Sequence, residues 1–134
     1  MGQQLQLRRR SSADQESFVK CRMSVPVSTN ARLRALQAKH CLRNRDAVIG
    51  ALIRKGRTDF QLCDFALPPE PEADDPMIDI YPSIQLDHVD FLYRLQRRFR
   101  GAAFGTTIEA LVETVSHIGP LPLQLPLLLQ PGRL

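Results

Sequence analysis

Three polar side chains alternate with apolar ones near the start of the chain. Lys20, Arg22 and Ser24 fall on one side of a predicted strand, because successive side chains of a strand lie on opposite faces. The other face is apolar and holds Val19, Cys21, Met23 and Val25. Lys and Arg donate to guanine O6 and N7, and Ser bonds to several bases, so this face suits base edges in the major groove of duplex DNA. The alternative is a charged strand edge that discourages edge-to-edge pairing.

A second polar group suits phosphate. Arg43, Asn44 and Arg45 stand immediately before an apolar stripe of helical spacing, which consists of Val48, Ile49, Leu52 and Ile53. Asn44 is a good N-cap, and a helix N-terminus offers free N–H groups at the positive end of its dipole. The sequence therefore predicts a phosphate site at the start of this helix, which we expect to end at Gly56.

No catalytic or metal chemistry is indicated. The sequence has no phosphate-binding glycine loop and no G-x-S-x-G motif. The histidines His40, His88 and His117 match no nucleophile, and they are interpreted as residues of helix edges and ends. The cysteines Cys21, Cys41 and Cys63 lie too far apart in sequence to suggest a disulfide framework or a zinc site. We expect a protein that is not an enzyme and that needs no cofactor and no metal.

Charge divides the chain into two unlike parts. Residues 1–58 hold 13 Lys and Arg against 3 Asp and Glu, whereas residues 59–134 hold 5 against 11. A basic part of this kind is typical of a polyanion-binding module. The sequence has neither an apolar segment long enough for a membrane span nor a secretory signal, so we expect a cytoplasmic protein that does not contact membranes.

The positioning elements follow a strand, helix, helix order. Residues 1–17 are interpreted as a flexible basic arm containing Arg8, Arg9 and Arg10, which either follows DNA or contacts nothing. Residues 18–58 form the first unit, whose first helix is capped by Ser28 or Thr29. Residues 59–76 are rich in proline and acidic residues, and we interpret them as a linker that resists packing.

The same order recurs in residues 77–119. Ile78, Ile80 and Ile84 oppose the outward residues Asp79, Tyr81 and Ser83 on a second predicted strand, which Pro82 interrupts. Asp87 is expected to cap the next helix, and a turn at Gly105 and Thr106 to precede the last one, which ends near Gly119. Residues 120–134 form a tail rich in proline and leucine.

A shift of 59 residues superimposes the two units up to the first helix of each. The last helix is expected to need a shift of 62, which matches Asn44 with Thr106 and adds three residues to the second inter-helix turn. One unit is too small to bury a stable core. We therefore predict a mainly α fold of four helices and two antiparallel strands, packed about a pseudo-twofold axis within a monomer.

The first unit resembles the ribbon-helix-helix family of DNA-binding proteins. The resemblance is carried by residues 20–26, by Leu33-x-x-Leu36, and by Arg43-Asn44-Arg45-Asp46-x-Val48-Ile49-x-x-Leu52. It implies that the outward strand residues contact bases and that Asn44 and Arg45 hold a phosphate.

In the second unit, Asp79 would accept from cytosine N4, and Tyr81 and Ser83 would donate. Gly105, Thr106 and Thr107 would hold a second phosphate, unless Thr106 is a plain N-cap. Four arginines make a further basic cluster that either contacts DNA or a partner or is simply solvated: Arg94, Arg97, Arg98 and Arg100.

Tandem members of this family occur among accessory proteins of plasmid conjugation and T-DNA transfer, such as TraY and the overdrive-binding virulence proteins. That resemblance implies binding near a transfer origin, assistance to a relaxase, and regulation of transcription of its own operon. The alternative is a repressor or antitoxin-like protein that holds a partner through another segment. The candidate segment is residues 120–129, which we expect to pack on the domain itself, on a second copy or on a partner.

Overall fold

A computed structural model describes residues 17–115. Within that range the chain is mainly helical, with four helices as the sequence predicts. Each of the two predicted strands is divided in two, which gives two short antiparallel strand pairs in place of one. The elements are β1 (Phe18–Lys20), β2 (Met23–Pro26), α1 (Val27–Lys39), α2 (Arg45–Asp59), a 3-10 turn (Leu62–Asp64), β3 (Met77–Ile80), β4 (Ser83–Gln85), α3 (Leu86–Arg98) and α4 (Phe104–Val115). The predicted arm up to residue 16, the end of the last helix near Gly119 and the predicted tail lie outside the described residues.

The two strand pairs share one register. β1 pairs with β4, with Val19 opposite Ile84, and β2 pairs with β3, with Val25 opposite Ile78. Between the two pairs the N–H of Cys21 donates to the carbonyl of Pro82 at 2.9 Å. The prediction that residues 19–25 pair with residues 78–84 is confirmed, and Pro82 separates β3 from β4 without shifting the register.

The spacing between equivalent elements is constant along the described chain. Helices α1 and α3 begin at Val27 and Leu86, and α2 and α4 begin at Arg45 and Phe104, so both pairs are 59 positions apart. The left-handed residues that follow α1 and α3 are Cys41 and Arg100, with φ of 53° and 60°, and they are separated by the same interval. The predicted shift of 62 and the three extra turn residues are therefore wrong.

The misplaced turn has a local cause. The turn expected at Gly105 and Thr106 is the first turn of α4, which begins at Phe104. The hydroxyl and amide residues that favour an N-cap are also accepted within a first turn. Matching Thr106 with Asn44 by residue type therefore displaced the alignment by three positions.

Neither α1 nor α3 begins where a capping side chain was expected. α1 begins at Val27, before Ser28 and Thr29, and α3 begins at Leu86, so that Asp87 lies in its first turn. The first turn of α1 is instead satisfied from the linker, because the N–H and Oγ of Ser28 donate to the two carboxylate oxygens of Asp75 at 2.9 and 2.6 Å. A long-range contact supplies the cap that local sequence did not.

The core lies where the helices of the two units meet the inner face of the strands. α2 packs against α4, α2 also contacts β4, and α4 contacts β2. The largest fully buried side chains are Phe65, Leu33, Ile49, Leu52, Ile53, Leu92, Leu95, Ile108, Leu111, Val25, Val48 and Val112. Each second helix thus covers the strand of the other unit, so the two units share one core.

Gly56 and the linker differ from expectation. α2 continues through Gly56 to Asp59. Gly56 is buried and closely packed, since a Cβ there would lie 3.0 Å from Leu111 Cδ2 and 3.2 Å from Phe65 Cζ. Phe65 itself is completely buried, with its ring centroid 6.0 Å from that of Phe91. The early part of the predicted linker therefore contributes a core side chain and packs close to Gly56.

No helix among residues 17–115 is long and apolar enough to cross a bilayer.

Candidate nucleic-acid interface

The two strand pairs present one polar and one apolar face. Lys20, Arg22, Asp79 and Tyr81 are exposed, and Ser24 and Ser83 are half-buried on the same side of the ribbon. The opposite side is buried at Cys21, Met23, Val25, Ile80, Pro82 and Ile84. Val19 departs from its predicted place, because it is 37% exposed near the end of the ribbon. All six residues that the sequence predicts to face outward therefore lie together on one surface.

Asp79 ties the outward residues of the two strands to one another. It lies directly opposite Ser24, whose Oγ donates to Asp79 Oδ1 at 2.6 Å. Arg22 Nη2 lies 3.5 Å from Asp79 Oδ2 as an exposed ion pair. The hydrogen bond from Ser24 and the charge of Arg22 hold the pKa of Asp79 below its usual value. Three of the six candidate base-contacting residues therefore interact before any ligand arrives.

The first helix N-terminus is built as the sequence predicts. Asn44 has an extended backbone, and its Oδ1 accepts the N–H of Ala47 at 2.9 Å. Arg43 is exposed, whereas Arg45 is half-buried and donates from Nη1 to Asn30 Oδ1 at 3.0 Å. Burial and the charge of Arg34 lower the pKa of Arg45, with Asp46 acting in the opposite direction. Arg43 is thus exposed at a helix start whose first N–H groups have no partner within the helix, while Arg45 supports α1.

A groove of about 470 Å³ opens beside this helix start. Its wall combines α2 residues at helical spacing with the β1–β4 end of the ribbon and with α3: Phe18, Arg43, Asn44, Asp46, Ala47, Gly50, Arg54, Ser83, Ile84, Gln85 and His88. Asp46 is turned toward the ribbon, where it accepts the N–H of Ser83 at 3.1 Å. We call this the basic groove, because Arg43 and Arg54 line it.

His88 is buried at the basic groove. Only 4% of the residue is exposed, and its Nδ1 has no hydrogen-bond partner among residues 17–115. Burial and the charges of Arg54 and Arg57 lower its pKa to about 4, against a smaller opposite effect of Asp87. The ring is therefore neutral at neutral pH.

Sequence reasoning missed Arg54 and His88 as members of this site. A signal for Arg54 was available, because Ala47, Gly50 and Arg54 recur at three and four residues along the predicted helix and so share one face with its N-terminus. His88 comes from the other unit. Its position could be inferred only after the pairing of the two units was known.

The predicted second phosphate site is largely enclosed. Gly105 and Thr107 are buried, and the hydroxyl of Thr107 donates to the carbonyl of Phe104 at 2.6 Å. A Cβ at Gly105 would overlap the carbonyl oxygen of Ser24. Gly105 therefore allows α4 to approach β2, and Thr106 is the member of the trio whose side chain reaches the surface.

Arg98 in the arginine cluster of α3 has a structural role. It donates to the carbonyls of Leu62, Cys63 and Phe65 at 2.8, 3.3 and 3.2 Å, which holds the 3-10 turn against the helix. Arg94 pairs with Asp90 on its own helix at 3.1 Å. Arg97 lies beside the same turn, about three helical turns beyond the ribbon end of α3.

The cysteines do not come together. Cys21 is buried under the ribbon, where burial raises the pKa of its thiol, and Cys41 and Cys63 are exposed. Within residues 17–115 no group of three or more His, Cys, Asp and Glu side chains is arranged to hold a metal ion.

No family model, curated protein or solved structure matches the chain. The function is therefore argued from the geometry of the described residues.

Proposed function

We propose that this chain is a single-chain, tandem ribbon-helix-helix protein that binds duplex DNA by inserting its two-stranded ribbon into the major groove. The observation that carries the proposal is the shared register of the two strand pairs. It gathers Lys20, Arg22 and Ser24 from one unit with Asp79, Tyr81 and Ser83 from the other on one polar face. The major groove admits a two-stranded ribbon, and side chains on one face of that ribbon all meet base edges.

The start of α2 supports the same placement. Arg43 and the capped N-terminus of α2 lie at the β1–β4 end of the ribbon, where they line the basic groove. A ribbon in the major groove has sugar-phosphate backbone at its ends, and contacts to that backbone set the position of a protein on DNA. Free N–H groups and arginines at this place suit a phosphate oxygen.

The finer biological role follows from the resemblance to tandem proteins of conjugation and T-DNA transfer. In that role the protein binds beside a transfer origin and helps a relaxase assemble. It also represses transcription of its own operon.

Salt dependence is the first test of DNA binding. Affinity for duplexes recovered from a random pool, measured by fluorescence anisotropy, should fall about a thousandfold between about 50 and 200 mM salt if about six phosphates are contacted. A response that is flat with salt concentration would contradict an electrostatic DNA interface.

Arg22→Ala tests base contact directly. If Arg22 contacts a guanine, the change should cost about 1–3 kcal/mol of binding free energy and relax the preference at one base pair. The matched control is Arg97→Ala, which removes the same charge from α3, remote from the ribbon. A uniform loss of affinity on every duplex would instead make Arg22 a phosphate contact.

A further inference from the structure

The basic groove has an equivalent at the other end of the ribbon. Adding the 59-residue interval to its members leads to Glu109 in the place of Gly50, Glu113 in the place of Arg54, and Ala102 and Ala103 in the places of Arg43 and Asn44. A groove of about 240 Å³ lies at this end, lined by Pro26, Ser28, Thr29, Arg32, Pro68, Pro69, Glu70, Pro71, Glu72, Asp75, Glu109 and Glu113. We call it the acidic groove.

The acidic groove is lined by linker residues and by carboxylates. Linker residues 68–72 form one wall, and Asp75 accepts both hydrogen bonds of Ser28 at the start of α1. The positive charge of Arg32 is matched by Glu113, with Nη1 and Oε2 2.6 Å apart. Burial and the charge of Asp75 raise the pKa of Glu109, which is the direction expected for a carboxylate among carboxylates.

The basic groove offers the opposite environment. It joins the N-terminus of α2, Arg43 and Arg54 with His88, a buried side chain whose Nδ1 has no partner within the part of the chain that the structure describes. The corresponding residue of the acidic groove is Thr29. Among the described residues, an anion therefore meets two arginines and one carboxylate, that of Asp46, at one end of the ribbon, and one arginine and five carboxylates at the other.

We propose that the protein holds the DNA backbone at one end of its ribbon only: the basic groove binds a phosphate, and the acidic groove repels the equivalent phosphate. This inference rests on the proposed DNA-binding function. Its consequence is polarity, since two ends of unlike charge seat the chain on DNA in one orientation and require phosphate contacts on one flank of the site.

Phosphate ethylation interference on a duplex recovered from a random pool by the unaltered protein tests the inference. Interfering phosphates should lie on one flank of the ribbon site. Arg54→Ala should lower affinity about tenfold at low salt, reduce the salt slope by about one and weaken interference at that flank. The control Arg97→Ala should leave the interference pattern unchanged.

The converse variant introduces charge at the acidic groove. Glu113→Arg together with Glu109→Gly puts there the residue types of the basic groove, and it should add interfering phosphates on the second flank. Glu113→Gln, which removes charge with little change of shape, should raise affinity severalfold. Circular dichroism of each variant establishes that it is folded before its binding is scored.

The outcomes separate the two proposals. Equal interference on both flanks, or equal effects of Arg54→Ala and Arg97→Ala, would overturn one-ended binding while leaving DNA binding intact. Failure of the unaltered protein to retain any duplex at about 50 mM salt would overturn the proposed function itself, and the polarity with it.

Discussion

At the scale of single residues, the ribbon surface is governed by Asp79. It occupies in β3 the place that Lys20 occupies in β1, and it bonds to Ser24 and Arg22 from the first unit. A carboxylate there neutralises part of the positive charge of this face. It also pairs with Arg22, so that in the proposed complex DNA would compete with Asp79 for the guanidinium group.

Asp79→Asn should therefore raise DNA affinity. An exposed ion pair is weak, so release of Arg22 predicts a gain in affinity of at most about fivefold, measured by anisotropy at low salt. Asp74→Asn is the matched control, because it removes the same charge from an exposed linker residue. An equal gain from both variants would show that the effect is one of net charge and not of the contact with Arg22.

His88 makes stability depend on pH. Its pKa in the folded protein is about 4, below its ordinary value of 6.5, so the unfolded chain binds a proton first as the pH falls. Stability should be constant above about pH 6.5 and decrease by up to about 3 kcal/mol as the pH falls toward 4.

Urea denaturation at several pH values measures this loss. The variant His88→Leu replaces the imidazole with an apolar side chain of similar size that cannot titrate. It should remove most of the dependence of stability on pH between pH 6.5 and 4. A slope that persists in His88→Leu would assign the pH dependence to the carboxylates instead.

At the scale of elements, the two second helices approach the ribbon by different means. Asp46 in the first turn of α2 accepts the N–H of Ser83, whereas Gly105, its counterpart 59 positions later in α4, lies against the carbonyl of Ser24. The first contact is a hydrogen bond and the second is close packing. The helix starts are consequently not interchangeable, although their spacing along the chain is the same.

Gly105→Ala should strongly destabilise the fold. The added methyl group would overlap the backbone of β2, which cannot rotate away as a side chain can, so we expect a loss of about 3 kcal/mol or more in the free energy of unfolding. The matched control is Gly50→Ala in α2, whose new Cβ would lie 3.8 Å from Arg54 Nη1. Ala favours a helix over Gly by up to about 1 kcal/mol, so this variant should be more stable.

Urea unfolding followed by far-ultraviolet circular dichroism compares the two variants. Equal stability of Gly105→Ala and the unaltered protein would contradict the close approach of α4 to the backbone of β2.

At the scale of the whole molecule, each unit completes the other. α4 covers β2, α2 covers β4, and the two helices pack on each other. The strands likewise pair between units. Neither unit retains a covered strand if the other unit unfolds, and the apolar face of its second helix would be exposed to water.

The described domain should therefore unfold in one cooperative step. Native-state hydrogen exchange should give α2 and α4 the same free energy of global opening, since neither is stable without the other. Opening of α1 and α2 at a lower urea concentration than α3 and α4 would contradict a shared core.

The sequence by itself determined the features that depend on local pattern. Alternation with period two placed Lys20, Arg22 and Ser24 opposite the buried residues Cys21, Met23 and Val25, and helical periodicity marked the stripe of α2. Asn44 was found as a cap because that bond joins residues three positions apart. The unequal distribution of charge between residues 1–58 and 59–134 likewise follows from counting basic and acidic residues.

Tertiary structure alone decided the contacts between residues that are distant in sequence. The bonds of Asp79 to Arg22, of Asp75 to Ser28 and of Asp46 to Ser83 join positions 57, 47 and 37 residues apart. The constant 59-residue interval also emerged only in three dimensions, because α4 begins at Phe104, ahead of the Thr106 that local preference suggested. A cap or an ion pair between residues distant in sequence produces no periodic pattern along the chain. The sequence alone therefore could not reveal which groove is lined with arginines and which with carboxylates.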